Sequence, residues 1–414
     1  MKLPQMNTIQ FWLLAMLPAG ILFSRVLLSC CLIGFITLAC VHRELPMQFR
    51  RLLKDRLLAG TTLLFFIPLL SGLWSEDIQT WSGLLRIKLP LLLLPLSFAG
   101  SFRITPKQHR ILSLFFIGAV LAGSIQTVVI YAGGVINDVN EAYLRSKVMF
   151  TPMYDDHVRF SWMVSLAALL AVWLGMDRWK EQRWIGIGSF LTAVWLVIFL
   201  HLLAARTGIL SLYIMLIVAG VYAVLRVRKP VISLAMILFA LALPVIAYQT
   251  IPSFRNRMRV SVFEYDYFKH LDYLPGSNDA VRMISIRAGW ELMQAKPLTG
   301  SGFGDVKTDA NTWYGRQYPQ MLESDKKIPG SEWVVYGAGA GWPGLILFAV
   351  VLLLPFFCST RLSWVWWSFH LTAAMSLLID VGLEIQIGVA LYVFVYGWWR
   401  AWLLSKNNPS LQAV

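Results

Sequence analysis

Apolar runs of roughly 17 to 23 residues recur along the chain, separated by short polar segments. At about 1.5 Å of helical rise per residue, such runs match a hydrocarbon core of about 30 Å. They fall near 8–24, 26–41, 57–74, 84–99, 110–131, 158–175, 184–203, 207–225, 231–249, 334–356, 362–380 and 384–404. The runs are uninterrupted and do not alternate, so the pattern predicts helices and not the strands of a barrel. The expectation is an all-α, polytopic integral membrane protein of about twelve transmembrane helices with one long extracytoplasmic loop. Its parts are residues 1–249 (nine helices), 250–333 (a loop subdomain) and 334–414 (three helices).

Composition supports that class. Of 414 residues, 57% are hydrophobic and 14% charged, with a mean hydropathy of +0.63, too apolar for a water-soluble globule with one closed core. The first run carries only Lys2 ahead of it and no small-x-small cleavage site before Arg25, so it reads as a retained span and not a signal peptide. With the N-terminus inside, the inner segments hold 18 basic residues and the short outer segments 7. Both termini are therefore expected in the cytoplasm, with the loop outside. The net charge of +14 then reflects contact with inner-leaflet lipids, and no nucleic-acid partner is needed. Cys30, Cys31, Cys40 and Cys358 all fall in or at the ends of apolar runs, without disulfide or zinc-ligand spacing.

The loop opens with Arg255, Arg257 and Arg259, followed by the aromatic residues Phe263, Tyr265, Tyr267 and Phe268. Asn278 is placed to cap a helix over 279–295, with Val281, Ile284, Ala288, Leu292 and Ala295 on one face and Lys296-Pro297 as its end. The glycines of Pro297-Leu-Thr-Gly300-Ser-Gly302-Phe-Gly304 follow. They suit either a plain turn or a nest of amides facing a phosphate; no Gly-Lys-Ser/Thr follows, so this is not a P-loop.

Charges at the outer ends of helices are the candidate chemistry. Arg206, in Ala204-Ala-Arg206-Thr-Gly208, lies in a tight turn between two apolar spans, where inner-leaflet attraction does not explain it. An arginine at membrane depth costs a few kcal/mol unless paired, so it reads as a site residue, with snorkelling to headgroups as the alternative. Arg86 and Lys88 before Pro90, and Arg159 in Asp155-Asp156-His157-Val-Arg159-Phe-Ser, pose the same choice. Cations gathered on one face suit a pyrophosphate, which arginine grips with paired charge-assisted hydrogen bonds. Arg282 and Arg287, on the loop helix, join the candidate substrate-binding set.

Four pieces together resemble the O-antigen ligase and polymerase superfamily of bacterial envelope glycan assembly. They are the Ala-Ala-Arg206-Thr-Gly turn, the His157-Val-Arg159-Phe-Ser start of a span, the Trp290 to Gly304 segment, and Gly339-Ala-Gly341-Trp-Pro-Gly344. The resemblance implies metal-independent, cofactor-free glycosyl transfer at the outer face of the inner membrane. The donor is an undecaprenyl-pyrophosphate-linked glycan, the acceptor a glycan, lipid or protein such as lipid A core, and Arg206 holds the pyrophosphate. Ligases of this kind carry a histidine ahead of their Gly-x-x-Gly; counting back from Gly341 and Gly344, that place is Gly330, and Ser331 keeps the polar neighbour. With the histidine absent, Glu332 and His157 are the substitute catalytic candidates beside Arg206. A repeat-unit polymerase, differing only in acceptor, and a non-catalytic binder of polyprenyl-linked glycans remain as alternatives. A secondary transporter would call for ionisable residues at mid-membrane and an inverted repeat, and neither is evident.

Overall fold

The computed structural model describes residues 3–41, 45–100, 102–134, 136–145, 149–228, 230–358 and 363–407. Lys2, Arg43, Lys147, Lys229 and Arg361, counted above for orientation, lie outside the described residues. The first part runs through α1 (Leu3–Phe23), α2 (Arg25–Cys40), α3 (Leu45–Lys54), α4 (Arg56–Ser71), α5 (Ile78–Lys88), α6 (Pro90–Phe98), α7 (Pro106–Gly133), α8 (Ile136–Ala142), α9 (Pro152–Asp155), α10 (His157–Arg178), α11 (Arg183–Leu203), α12 (Arg206–Tyr222) and α13 (Pro230–Thr250). The loop holds α14 (Pro252–His270), α15 (Asp279–Ala295) and α16 (Val306–Gln317), and the chain closes with α17 (Glu332–Cys358), α18 (Trp364–Ile379) and α19 (Gln386–Asn407). No strand occurs among the described residues.

Nine spans among the described residues are long and apolar enough to cross a membrane, α5 and α6 together making one of them. Three of the twelve expected runs fall short of that standard. The helices α2, α4 and α18 are 16 residues each, about 24 Å at the helical rise, and α2 counts only as a bent pair with α3. The innermost spans are α10 and α19, each 78% buried, whereas α13 is 11% buried and lies at the edge. Asp156 and Thr105 accept amide hydrogens from Arg159 and Gln108 to start α10 and α7, the latter completing a reciprocal capping box.

Helix α15 starts and ends where Asn278 and Lys296-Pro297 predict, but the expected cap is made differently. Glu264 accepts the Asp279 amide at 3.1 Å, and Ser277 Oγ accepts that of Ala280 at 3.1 Å. The buried face holds Val281, Ile284 and Ala288 as expected, then swings to Met293, leaving Ala295 exposed. It packs with Ala310, Tyr314 and Met321 into a small core of the loop's own. The stretch from Arg255 to Phe268, read as a basic and then aromatic segment, lies within helix α14, with Phe254, Arg257, Val260 and Glu264 along its buried face.

The four motifs fold into two contacts. In one, α12 packs on α10 at Gly208, where a Cβ would stand 2.5 Å from Ser161 Cβ; Ser165 Oγ donates to the Gly208 carbonyl at 2.8 Å. In the other, α17 breaks at Ala340 and at Gly341 (φ +68°), and the break leaves carbonyls without helical partners. Ser301 N–H donates to Ala338 O at 2.7 Å, Gly302 N–H to Gly339 O at 3.1 Å, and Trp342 N–H to Pro297 O at 2.8 Å. Gly300 also has positive φ, and a Cβ on it would reach Ala338 O at 2.5 Å. The Phe303 and Gly304 amides donate to Ser71 and Ser75 hydroxyls. The glycine segment is therefore a turn whose amides serve packing, and no phosphate nest remains in it.

Candidate functional site

Lys88 ends α5 and is fully buried. Its ammonium donates to Glu384 Oε1 at 2.6 Å, to the Leu383 carbonyl at 3.0 Å and to Glu332 Oε1 at 3.4 Å. It also lies over the Tyr336 and Phe303 rings, 5.0 and 5.7 Å from their centroids. Glu332 is equally buried, and its second oxygen accepts the Leu383 amide at 2.9 Å. Breaking such a pair by removing one partner strands a charge in a dry interior. Lys88 and Glu332, expected from the sequence as site residues, are here buried against each other and join α5, α17 and the α18–α19 connection.

Arg159, on the first turn of α10, is nearly as enclosed. It bonds Asp156 at 3.1 and 3.2 Å, pairs with Asp380 at 2.9 Å, and donates to the Val381 carbonyl. Arg86 is exposed and forms no ion pair among the described residues, and Arg287 is held by Glu291 at 2.6 Å on the exposed side of α15. His157 is half-buried beside Asp156 at the start of α10.

Arg206 begins α12, just after Ala204, whose left-handed conformation (φ +51°) ends α11. Its guanidinium pairs with Asp279 in the first turn of α15, and its side chain keeps 31% of its exposure. Beside it stands Arg257, a residue that sequence reasoning missed. Arg257 is 5% exposed, and its Nε and Nη1 have no hydrogen-bond partner among the described residues. Burial, reinforced by the Arg206 charge, pushes its pKa down to about 10, while Asp279 and Glu264 hold it up. The signal available in the sequence was helical spacing: Arg257 falls three residues after Phe254 and three before Val260 on the buried face of α14.

Between the loop and the end of α18 lies a cleft of about 430 Å³. Its walls include Asn278, Arg282, Ser285, Gly330, Asp380 and Val381, together with Lys307, Lys326 and Lys327. Arg282 is half-buried, and its guanidinium has no ion pair or hydrogen bond among the described residues. Asn278 lines the cleft, whereas its chain neighbour Asp279 and the Arg206 paired with it are not among the lining residues. Gly330 donates its amide to Ser285 Oγ at 3.0 Å, and a Cβ there would sit 2.7 Å from Arg282 Cγ. A larger side chain at 330 would have to displace Arg282. Asp380, the second residue missed in the sequence, is the only acidic lining residue among the described residues; its side chain keeps 13% of its exposure beside Arg159, and its carbonyl accepts the Glu332 amide at 3.2 Å.

The chain is thus a multi-pass helical membrane protein with a basic cleft at the junction of loop and bundle. Residues 191–349 match the model of the O-antigen ligase family, to which this part of the chain is similar. The match takes in Arg206, Arg257, Arg282, Gly330 and Glu332, and leaves Lys88, Arg159 and Asp380 outside it. No curated protein matches the chain.

Proposed function

We propose that the protein is an O-antigen-ligase-like glycosyltransferase. It moves a glycan from undecaprenyl pyrophosphate to an acceptor hydroxyl at the outer face of the bacterial inner membrane, with both termini cytoplasmic. The observation that carries this reading is the cleft itself: Arg282 lines it without a side-chain partner among the described residues, and Asn278 on its wall adjoins Asp279, which holds Arg206; all of these lie within the family match. Arg206, Arg282 and the orphan donors of Arg257 seat the pyrophosphate, and their charge stabilises the departing anion. In the transfer, the acceptor oxygen bonds to the anomeric carbon as the bond from that carbon to the phosphate oxygen breaks. The electron pair leaves on polyprenyl pyrophosphate. Asp380, which lines the cleft with Gly330 and keeps 13% of its side-chain exposure beside Arg159, orients the hydroxyl and receives its proton, the role that Glu332 is too enclosed to play.

Purified protein given a labelled lipid-linked glycan and a hydroxyl acceptor should release polyprenyl pyrophosphate and form the new glycoside. Binding without turnover for every acceptor would replace this reading with that of a non-catalytic glycan binder, which the glycine at 330 favours. For topology, Leu298 is 78% exposed whereas Ser301 is buried, so Leu298→Cys in a cysteine-free background is the reporter. It should react with an impermeant thiol reagent in intact spheroplasts; reaction only after lysis would place the loop in the cytoplasm.

A further inference from the structure

The cleft holds more positive charge than a pyrophosphate needs. Lys307 comes from the first turn of α16, and Lys326 and Lys327 from the segment before α17; all three converge on the same cavity as Arg282. The nearby acids are already committed. Asp305 accepts the Glu76 and Asp77 amides at 2.8 and 2.9 Å, Asp325 accepts from Tyr273 Oη and the Gly276 amide, and Asp380 is paired with Arg159. Lys326 has one counter-ion, the exposed Glu323 at 2.5 Å. Lys307 and Lys327 are exposed and have no ion pair among the described residues. Like charges spread over a convex surface are simply solvated, but like charges converging on one concave wall focus their field on whatever enters.

We propose that this lysine wall is a subsite for an acidic glycan, one bearing carboxylate or phosphate groups on its sugars in addition to the pyrophosphate. The inference rests on the transferase reading for its setting, but it concerns a separate group of residues. Lys307 and Lys327 contact the sugar acids, Lys326 adds to the field, and the substrate is selected by the charge of its carbohydrate. A neutral glycan of the same length fills the space without engaging these ammoniums.

The test uses full-length protein in neutral phosphatidylcholine nanodiscs, titrated with tetragalacturonic acid, with maltotetraose as neutral counterpart, and with farnesyl pyrophosphate as headgroup probe. Tetragalacturonic acid should bind at least about tenfold more tightly than maltotetraose and weaken as salt rises. The double variant Lys307→Ala/Lys327→Ala should lose about tenfold for the acidic probe, Lys307→Arg/Lys327→Arg should keep its binding, and both should bind farnesyl pyrophosphate within about twofold of the parent. Retained farnesyl pyrophosphate binding also shows that the variants are folded. Preloading with farnesyl pyrophosphate separates the two sources of the acid: continued binding of tetragalacturonic acid assigns it to the acceptor, and exclusion assigns it to the donor glycan. Equal binding of acidic and neutral probes, or an acidic probe indifferent to the double alanine variant, overturns the proposal. Failure of farnesyl pyrophosphate to bind the parent would instead sink the donor reading and leave the lysine result standing.

Discussion

Lys88 and Arg282 are both cations that the sequence marks as candidate substrate-binding residues, and the fold handles them in opposite ways. Lys88 is fully buried against two carboxylates, a carbonyl and two aromatic faces; Arg282 is half-buried in open space with its guanidinium unpaired among the described residues. A charge whose hydrogen bonds are all taken by the protein fixes helices, and a charge left with spare donors in a cavity is available to a ligand. The type of residue does not separate these cases. The placement of acids does: Glu332 and Glu384 converge on Lys88, while Asp380, which lines the cleft, is held by Arg159.

The comparison breaks most visibly at Lys88. Lys88→Met leaves Glu332 and Glu384 without their cation and should cost about 3–5 kcal/mol, seen as loss of monodisperse protein after extraction. Adding Glu332→Gln and Glu384→Gln should recover much of that loss, and a stable single variant would show that the cluster does not hold the helices. Next in size is Arg206→Ala, which should lower transfer by about a hundredfold or more while leaving a folded, inserted protein. Arg206→Lys should rescue little, because an ammonium lacks the planar fork; full activity of the alanine variant would leave Arg206 only its structural pair with Asp279. Asp380→Asn keeps the shape and should lower kcat by about a hundredfold with donor affinity retained. If donor affinity falls instead, Asp380 acts by holding Arg159.

The smallest effect sharpens the comparison from the side of stability. A base whose pKa is depressed on folding is a folded-state cost, and that cost is present in full while pH stays below the depressed value. For Arg257 the window opens at about 10, where the cost begins to fade, and closes at the ordinary guanidinium value, above which it is gone. Arg257→Met should therefore raise the thermal midpoint at neutral pH by about 1 to 3 °C, and the gain should shrink above pH 10. The same variant should bind farnesyl pyrophosphate more weakly, since it gives up the orphan donors. A variant less stable than the parent at neutral pH would mean that Arg257 is paired after all.

What the sequence discloses here follows burial by chain segment more closely than burial by residue. Apolar runs mark the spans because every residue of a run reports the same environment, and α15 is legible because Asn278 and Lys296-Pro297 bracket a periodic face. The Arg206 turn stands out because a cation in a tight turn between two apolar runs is not explained by inner-leaflet attraction. Lys88 and Arg86 sit two residues apart and read alike, yet one is buried and the other exposed, a difference made by the distant Glu332 and Glu384. Arg257 is hidden between Arg255 and Arg259 in what reads as a solvated basic stretch, and Asp380 lies in a short gap between helices with no periodicity to mark it. The runs read at 57–74 and 362–380 extend past α4 and α18, whereas the run read at 26–41 is as short as α2 itself.

The seam between Pro297–Gly302 and the break in α17 joins main chain to main chain, through Ser301, Gly302 and Trp342 amides and the Ala338, Gly339 and Pro297 carbonyls. A joint of that kind is indifferent to the chemistry carried by the side chains around it. Residues at 282, 307, 326 and 327 can therefore be exchanged for others without unfastening the loop from the helices beneath. The arrangement separates attachment from selectivity, so one scaffold can be refitted to a different carbohydrate by changing a few exposed side chains along the rim.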